Sequence, residues 1–226
     1  RRLFSKVDTS LFTKPTYAAF IKLFNNYNKD AGVKDPAVSV SEDTTETKAF
    51  LDAVEQTGPF KTLLAFLKSK NHPYGQSASA LTSAISDLWF ARYSRAKGVL
   101  DSSGFEHVFI GEVKNNEVSG LHNWVRIYEL ENEGQVNYKG YTVTRTNLAT
   151  IKFTWDGEDK PAGSVLIGTS PEFDLSTFTL CFLARRGSNK CKLNLDGCPF
   201  EVQSYDETQS GKIFVGTAYP MAAAPC

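Results

Sequence analysis

Apolar residues in the first 98 positions recur with the three- to four-residue spacing of amphipathic helices. A first predicted helix opens at Lys14-Pro15 behind Thr13 as its cap and ends at Gly32. Three further helices are predicted over about 45–56, 60–67 and 79–97. The positions expected to face a core are Phe20, Leu23, Phe24, Tyr27, Phe50, Val54, Phe60, Leu63, Leu64, Leu67, Leu81, Ile85, Leu88 and Trp89. The pattern therefore predicts an N-terminal helical lobe over residues 1–98.

Beyond Gly98 the apolar spacing changes to the alternation typical of β-strands. Clusters of Gly, Asn, Asp and Pro separate the runs, and this spacing favours antiparallel pairing. The predicted strands are 124–130, 141–146, 150–155, 178–183, 191–195 and 212–216. A helical half followed by a strand half is typical of α+β architecture. We therefore expect a C-terminal lobe of antiparallel β-sheets over residues 99–226, forming one domain with the helical lobe.

Composition and charge narrow the classes of function. The chain is 41% apolar and includes sixteen Phe, enough for a sizeable core, yet no apolar run approaches the ~20 residues that cross a bilayer. We therefore expect no membrane insertion. The net charge is zero, which argues against a protein that holds nucleic acid through a broad cationic face. Residues 1–98 carry fourteen Lys/Arg against nine Asp/Glu, and residues 99–226 carry eleven against sixteen, an asymmetry that favours approach of an anionic substrate.

The four cysteines lie in the last quarter of the chain, at Cys181, Cys191, Cys198 and Cys226. None of their spacings gives the CxxC pairs of a structural zinc site. A disulfide within 181–198 in an oxidising compartment and four reduced thiols in the cytosol are both compatible with this spacing. The first residue is Arg1 rather than Met, so we also expect a fragment or a processed form.

Two of the three histidines, His107 and His122, lie fifteen residues apart. Imidazole exchanges protons near neutral pH, so a converging pair can supply both the acid and the base of one reaction. His72 lies in a turn-forming cluster before Pro73, and we interpret it as structural. No phosphate-binding glycine motif is present, and a nucleotide cofactor is therefore not indicated.

Five short motifs, in this order, resemble those of the EndoU endoribonucleases. They are FEHVFIGE at 105–112, SGLHNW at 119–124, KPAGS at 160–164, GTSPEF at 168–173 and GTAYP at 216–220. The resemblance is to the animal branch, which includes placental protein 11, and more distantly to the coronaviral uridylate-specific enzyme. It implies an EndoU-like fold and cleavage of single-stranded RNA 3′ of uridine, leaving a 2′,3′-cyclic phosphate. It also implies dependence on, or stimulation by, Mn²⁺ in many animal members and Ca²⁺ in some.

Carried over residue by residue, the resemblance implies a catalytic trio of His107, His122 and Lys160. In this reaction the 2′-OH loses a proton while the leaving 5′ oxygen gains one, and two imidazoles can do both. Lysine is a compact cation that suits the charge developing on the phosphate oxygens. By analogy with the coronaviral enzyme, His122 is the expected base and His107 the expected acid, although the residues themselves do not distinguish the two roles.

The resemblance also implies a uridine-facing set of Ser164, Thr217 and Tyr219. The local composition of KPAGS predicts a Pro/Gly turn carrying Lys160 and Ser164, while GTAYP follows a predicted strand. A serine hydroxyl donates and accepts hydrogen bonds at a base edge. The tyrosine ring offers a face on which uracil or its ribose packs, and such stacking contributes ~1 to 3 kcal/mol per base.

Glu106 and Glu112 flank the first histidine and match acidic positions of the animal branch where metal involvement has been proposed. Carboxylate oxygens suit Mn²⁺. If residues 106–112 form a strand, however, the two carboxylates share one face and His107 the other, unless Gly111 bends the chain. The alternative interpretation is that the carboxylates orient an imidazole or stabilise the surrounding structure.

Two other functions remain open from the residues alone. In a metal-dependent RNA hydrolase, His107, His122, Glu106 and Glu112 would hold an ion that activates water, giving a linear rather than a cyclic phosphate. In a non-catalytic RNA-binding module the fold would persist without turnover. We expect uridine-containing single-stranded RNA rather than DNA as partner, and a monomer, because no coiled-coil heptad is present. Secretion is expected from the resemblance to placental protein 11, with the cytoplasm as the alternative.

Overall fold

The helices of the N-terminal half pack around an aromatic core. The structure, a computed structural model, describes residues 2–35, 40–96 and 98–225, except for the side chains of 40–42. Its first four α-helices are α1 (Pro15–Lys22), α2 (Val40–Glu55), α3 (Gly58–Ser69) and α4 (Ala78–Ile85). Phe20, Phe50, Phe60 and Trp89 are at most 1% exposed in this core, as their spacing predicts. The helical lobe is therefore confirmed in its elements.

The ends of the first and fourth helices differ from the prediction. A 3-10 turn over Leu23–Asn26 ends the first helix, before Gly32. The Thr13 hydroxyl does not cap it but donates 2.8 Å to the Ser10 carbonyl, within a preceding 3-10 turn. The fourth helix closes in a π-helical turn that ends at Phe90. Its predicted end at Lys97 lies outside the described residues.

Two β-sheets form most of the C-terminal half, which confirms the α+β class. Strands β1 (Glu112–Lys114), β2 (Glu117–Ser119), β3 (Val136–Thr144), β4 (Leu148–Trp155) and β5 (Glu158–Leu166) form one sheet in the order β1-β2-β5-β4-β3. Strands β6 (Cys191–Leu195), β7 (Cys198–Gln209) and β8 (Lys212–Ala222) form the other. All pairings are antiparallel except a short parallel contact between β2 and β5.

Two of the predicted strands are wrong and are helices. Residues 124–130 lie in α5 (Trp124–Asn132) and residues 178–183 in α6 (Pro171–Arg185). The Asn123 side chain caps α5 by accepting from the backbone N–H groups of residues 125 and 126. Pro171 begins α6 at the first helical position. Both helices are rich in aromatic and branched residues, so propensity alone favoured strands, whereas packing on both sheets decided the outcome.

Two further local predictions are also wrong. Residues 158–166 form β5 rather than a turn, and a break in register against β4 leaves Pro161 and Ala162 together opposite the single residue Lys152. Such a bulge accommodates a proline, which cannot donate to the ladder. Residues Glu106–Ile110 form a π-helical turn, not a strand, so the argument from alternating faces does not apply to Glu106.

A disulfide joins Cys181 of α6 to Cys191 at the start of β6. Cys198 is also disulfide-bonded. Because α6 packs on the inner face of the β6-β7-β8 sheet, the Cys181–Cys191 bond fastens the core helix to the edge of that sheet. The disulfide that the spacing allows within 181–198 is thus formed, while Cys226 lies outside the described residues.

Candidate active site

His107 lies in the π-helical turn, and its Nδ1 is 2.8 Å from the Glu112 carboxylate. A carboxylate only accepts, so Nδ1 carries the proton and Nε2 is left for chemistry. The same carboxylate oxygen is 3.1 Å from Arg95 Nε. Burial holds the pKa of the imidazole below its usual value; the hydrogen bond and charge of Glu112 oppose this lowering, and the Arg95 charge adds to it. Glu112 therefore orients His107 and favours its protonated form.

The turn that carries His122 packs directly on the backbone of His107. Leu121 N–H donates 2.9 Å to the His107 carbonyl, and His122 N–H donates 2.7 Å to that of Val108. Gly120 makes this approach possible: its φ is +67°, and a Cβ there would lie 1.7 Å from the His107 oxygen. The two histidine segments are therefore held together by backbone contacts that only glycine permits.

His122 has a different partner from His107. Its Nδ1 is 2.8 Å from the Ser164 carbonyl oxygen, and its ring stacks on Tyr219 with centroids 5.4 Å apart. The carbonyl accepts, so Nδ1 again carries the proton and Nε2 has a free lone pair. Burial, and next the Lys160 charge, hold the pKa of His122 well below its usual value. This imidazole is therefore neutral at pH 7.

Lys160 reaches the same region from β5, where its ammonium donates 3.1 Å to the Val118 carbonyl of β2. Burial lowers its pKa to about 8, against a smaller opposing effect of Glu117. In most molecules the Lys160 ammonium is therefore still charged at pH 7. Its charge lowers the pKa of both histidines, which places all three groups within electrostatic reach of one another.

A cleft of about 540 Å³ opens over His122 between the two sheets. Five of the residues implied by the resemblance line it, namely His122, Lys160, Ser164, Thr217 and Tyr219. Val143, Thr150, Ala162, Met221 and Ala222 complete the lining. His107 is not part of this lining and lies beneath the adjoining turn, 6% exposed. The structure thus brings His122, Lys160 and the uridine-facing set together in the cleft, while His107 lies outside its lining.

The two glutamates do not fit a divalent cation held between them. Glu112 already contacts His107 and the cationic Arg95. Burial, and then the nearby Glu112 charge, raise the pKa of Glu106 well above its usual value, which disfavours the charged carboxylate that a cation needs. Across residues 2–35, 40–96 and 98–225, no group of three or more His, Cys, Asp or Glu side chains is arranged to hold a metal ion.

Sequence reasoning missed two residues that support the trio. Arg95 contacts Glu112, and its guanidinium also donates to the Gly216 carbonyl, which precedes Thr217 on β8. Asn123 caps α5 next to His122, and its amide donates 3.3 Å to Asp174. The SGLHNW motif contains Asn123, a residue type that favours helix N-caps, so the sequence did carry a signal for it. Nothing in the sequence around Arg95 indicates its role. The Nδ1 atom of His72 accepts from the backbone N–H of Tyr74 in its own turn, which agrees with a structural role.

Across the part of the chain that the structure describes, no helix combines the length and the apolar character of a membrane span.

Comparison with known proteins then gives the family. A model of the family described as endoribonuclease XendoU matches residues 1–220. The uridylate-specific endoribonucleases of Homo sapiens and Bos taurus are 41% and 39% identical to the chain over 96% and 98% of it.

The chain spans about half the length of these two mammalian relatives, 54% of each. It spans 75% of the uridylate-specific endoribonuclease C of Xenopus laevis, which is 38% identical over 98% of the chain. A solved structure of XendoU, described as a splicing-independent snoRNA-processing endoribonuclease, is 35% identical with a TM-score of 0.81, covering 98% of this chain and 84% of that one. The chain therefore belongs to the XendoU family of endoribonucleases.

Proposed function

We propose that this chain is a uridylate-specific endoribonuclease that cleaves single-stranded RNA 3′ of uridine. Attack of the 2′-OH on phosphorus forms the 2′,3′-cyclic phosphate as the bond from phosphorus to the 5′ oxygen breaks. Family membership supports the reaction class, and the names of the mammalian relatives support the uridine preference. The observation that carries the mechanism is the difference between the partners of the two imidazoles, a carbonyl for His122 and a carboxylate for His107.

In the proposed mechanism His122 is the general base. It is neutral at pH 7 because burial and Lys160 lower its pKa, and its Nε2 lone pair is free to take the 2′-OH proton. The Ser164 carbonyl fixes the ring orientation through Nδ1. A lone pair held in place before the substrate arrives lowers the cost of reaching the reactive geometry.

His107 is the general acid and gives a proton to the leaving 5′ oxygen. Burial lowers the pKa of His107 in the free protein, and the Glu112 carboxylate opposes this effect. The negative charge of an incoming phosphodiester raises the pKa towards the imidazolium form that a general acid needs. Lys160 neutralises the charge that grows on the nonbridging oxygens. Its pKa of about 8 leaves it mostly charged at pH 7.

Uridine recognition falls to the part of the cleft lined by Ser164, Thr217 and Tyr219. Two hydroxyl groups there are able to hydrogen-bond the uracil edge and discriminate against cytosine by donor pattern. Because Tyr219 also stacks on His122, the ring that orders the substrate is in contact with the ring that removes its proton. Tyr219→Ala is expected to weaken uridine preference, measured as the ratio of kcat/KM for uridine and cytidine substrates.

The test is an RNA with a single uridine, assayed with identification of both product ends. We expect a cyclic phosphate product and no cleavage when that uridine is replaced by 2′-deoxyuridine. His122→Ala should lose turnover while its far-UV circular dichroism spectrum stays unchanged. His72→Ala is the matched control, because the His72 ring accepts from the backbone N–H of Tyr74 in its own turn and does not line the cleft. Cutting of the deoxyuridine analogue at an undiminished rate, with a linear phosphate, would instead support the metal-dependent hydrolase.

Stimulation by Mn²⁺ or Ca²⁺ remains part of the proposal, without ligation by Glu106 and Glu112, and no step of the mechanism passes through a metal. Assays with Mn²⁺, with Ca²⁺ and with EDTA test it. The Cys181–Cys191 disulfide supports the further proposal of secretion, because such bonds persist in oxidising compartments. We also propose that the chain acts as a monomer, which sedimentation of the active protein tests.

A further inference from the structure

Tyr205 is a large aromatic side chain left exposed on the sheet face that forms the cleft. It lies in β7 and is 45% exposed, whereas the aromatic rings of the core are almost fully covered. Its direct partner across the β7-β8 pair is Thr217, which lines the cleft. Directly opposite residues point to the same face of a sheet, with Cβ atoms ~4.5–5.5 Å apart. Tyr205 therefore extends the cleft surface beyond Thr217.

The register shows that this extension is continuous with the uridine-facing residues. Gln203 pairs with Tyr219 and Tyr205 with Thr217, with no shift between these pairs. Tyr205 is thus the diagonal neighbour of Tyr219, a separation of ~7–8 Å that aromatic side chains still span. The electrostatic influence of Tyr205 on the Tyr219 hydroxyl agrees with this proximity.

We propose that Tyr205 is a second base subsite, on which the nucleotide next to the scissile uridine stacks. This inference rests on the proposed RNA substrate. The chemistry favours the base rather than the phosphate, because Asp206 and Glu207 follow Tyr205 and their carboxylates repel a phosphodiester. A ring face stacks on every base, so the subsite binds the neighbouring nucleotide without selecting its identity.

The experiment uses the full chain and trinucleotides with a central uridine and an abasic ribose in place of the 5′ or the 3′ neighbouring base. We expect the wild-type protein to lose kcat/KM by about 5- to 150-fold, equivalent to ~1 to 3 kcal/mol, when one of the two bases is removed. Tyr205→Ala should show the same loss on the intact trinucleotide and no further loss on that abasic substrate. Tyr205→Phe should retain wild-type behaviour, because stacking does not need the hydroxyl.

Phe66→Ala is the matched control, since Phe66 on α3 is exposed to a similar degree, 42%, and is not part of the cleft lining. The inference is overturned if Tyr205→Ala cleaves the intact trinucleotide as well as wild type does, or if it still responds to base removal as wild type does. Failure of the wild-type protein to cleave any uridine-containing RNA would instead overturn the proposed function. The two failures are therefore distinguishable in one set of assays.

Discussion

Replacing Gly120 by alanine should separate the two histidine segments. The new Cβ would lie 1.7 Å from the His107 oxygen, and real contacts of this kind are not shorter than 3.0 Å, so the segments must part by at least 1.3 Å. A displacement of ~1 Å in a catalytic group costs ~100-fold in rate. The residue also keeps its φ of +67°, which costs an L-residue ~1 to 2 kcal/mol, and the overlap adds ~1 to 3 kcal/mol.

Gly134→Ala separates these two costs. Gly134 has a φ of +77°, but nothing lies within 4 Å of a Cβ built on it, so this variant meets only the backbone cost. For a domain of this size, ~1 to 2 kcal/mol lowers Tm by ~2 to 8 °C, and the combined ~2 to 5 kcal/mol expected for Gly120→Ala lowers it by ~4 to 20 °C. Calorimetry and kcat on a single-uridine RNA measure both effects. Equal Tm and kcat values for the two variants would refute the reasoning.

Three other perturbations have expected outcomes. Glu112→Gln removes the charge that raises the pKa of His107, so the limb of the kcat/KM against pH profile that reports this acid should move to lower pH; an unmoved limb contradicts the role of Glu112. Burial raises the pKa of Asp174 from 3.8 to about 8, so the folded state binds this proton more tightly than the unfolded chain does. Its stabilising contribution is complete below pH 3.8 and is lost as pH rises towards 8. The free energy of unfolding of Asp174→Asn, measured in urea, should therefore rise relative to that of wild type between pH 5 and pH 8. A difference between the two proteins that does not change with pH rejects the raised pKa. The double change Cys181→Ser with Cys191→Ser opens a loop of sequence separation 10 and should cost ~3 kcal/mol, or ~6 to 12 °C in Tm; an unchanged Tm shows that the bond adds no stability.

The elements predicted best are those in which a regular apolar spacing continues over the whole element and depends only on neighbouring residues. Phe50 and Val54 are spaced for one helical face and are buried on it, and β6 has the bounds that its alternation indicates. Residues 124–130 misled because Trp, Val, Ile and Tyr favour strands, although the spacing of Trp124, Ile127 and Leu130 is helical and all three are buried in α5. Only the sheets against which that helix packs decide between strand and helix there.

The motifs predict which residues form the candidate site, but they do not predict its geometry. The motifs indicated His122 and Lys160, yet the groups that hold their side chains in place are backbone carbonyls of Ser164 and Val118, which no side-chain pattern reveals. Likewise, Arg95 supports the candidate site through its contact with the Gly216 carbonyl, which is distant in the sequence. Long-range backbone contacts depend on strand register, and register follows from the assembled sheets rather than from local composition.

The Arg95 side chain lies before the predicted lobe boundary at residue 98, yet it holds both Glu112 and the carbonyl of Gly216. A polypeptide beginning after that boundary would lack this link between the Glu112 partner of His107 and the strand of Thr217 and Tyr219. Separately expressed halves should therefore be silent as nucleases and regain turnover only on reassociation. That behaviour would make the junction a usable point for a split reporter of proximity between two fused proteins.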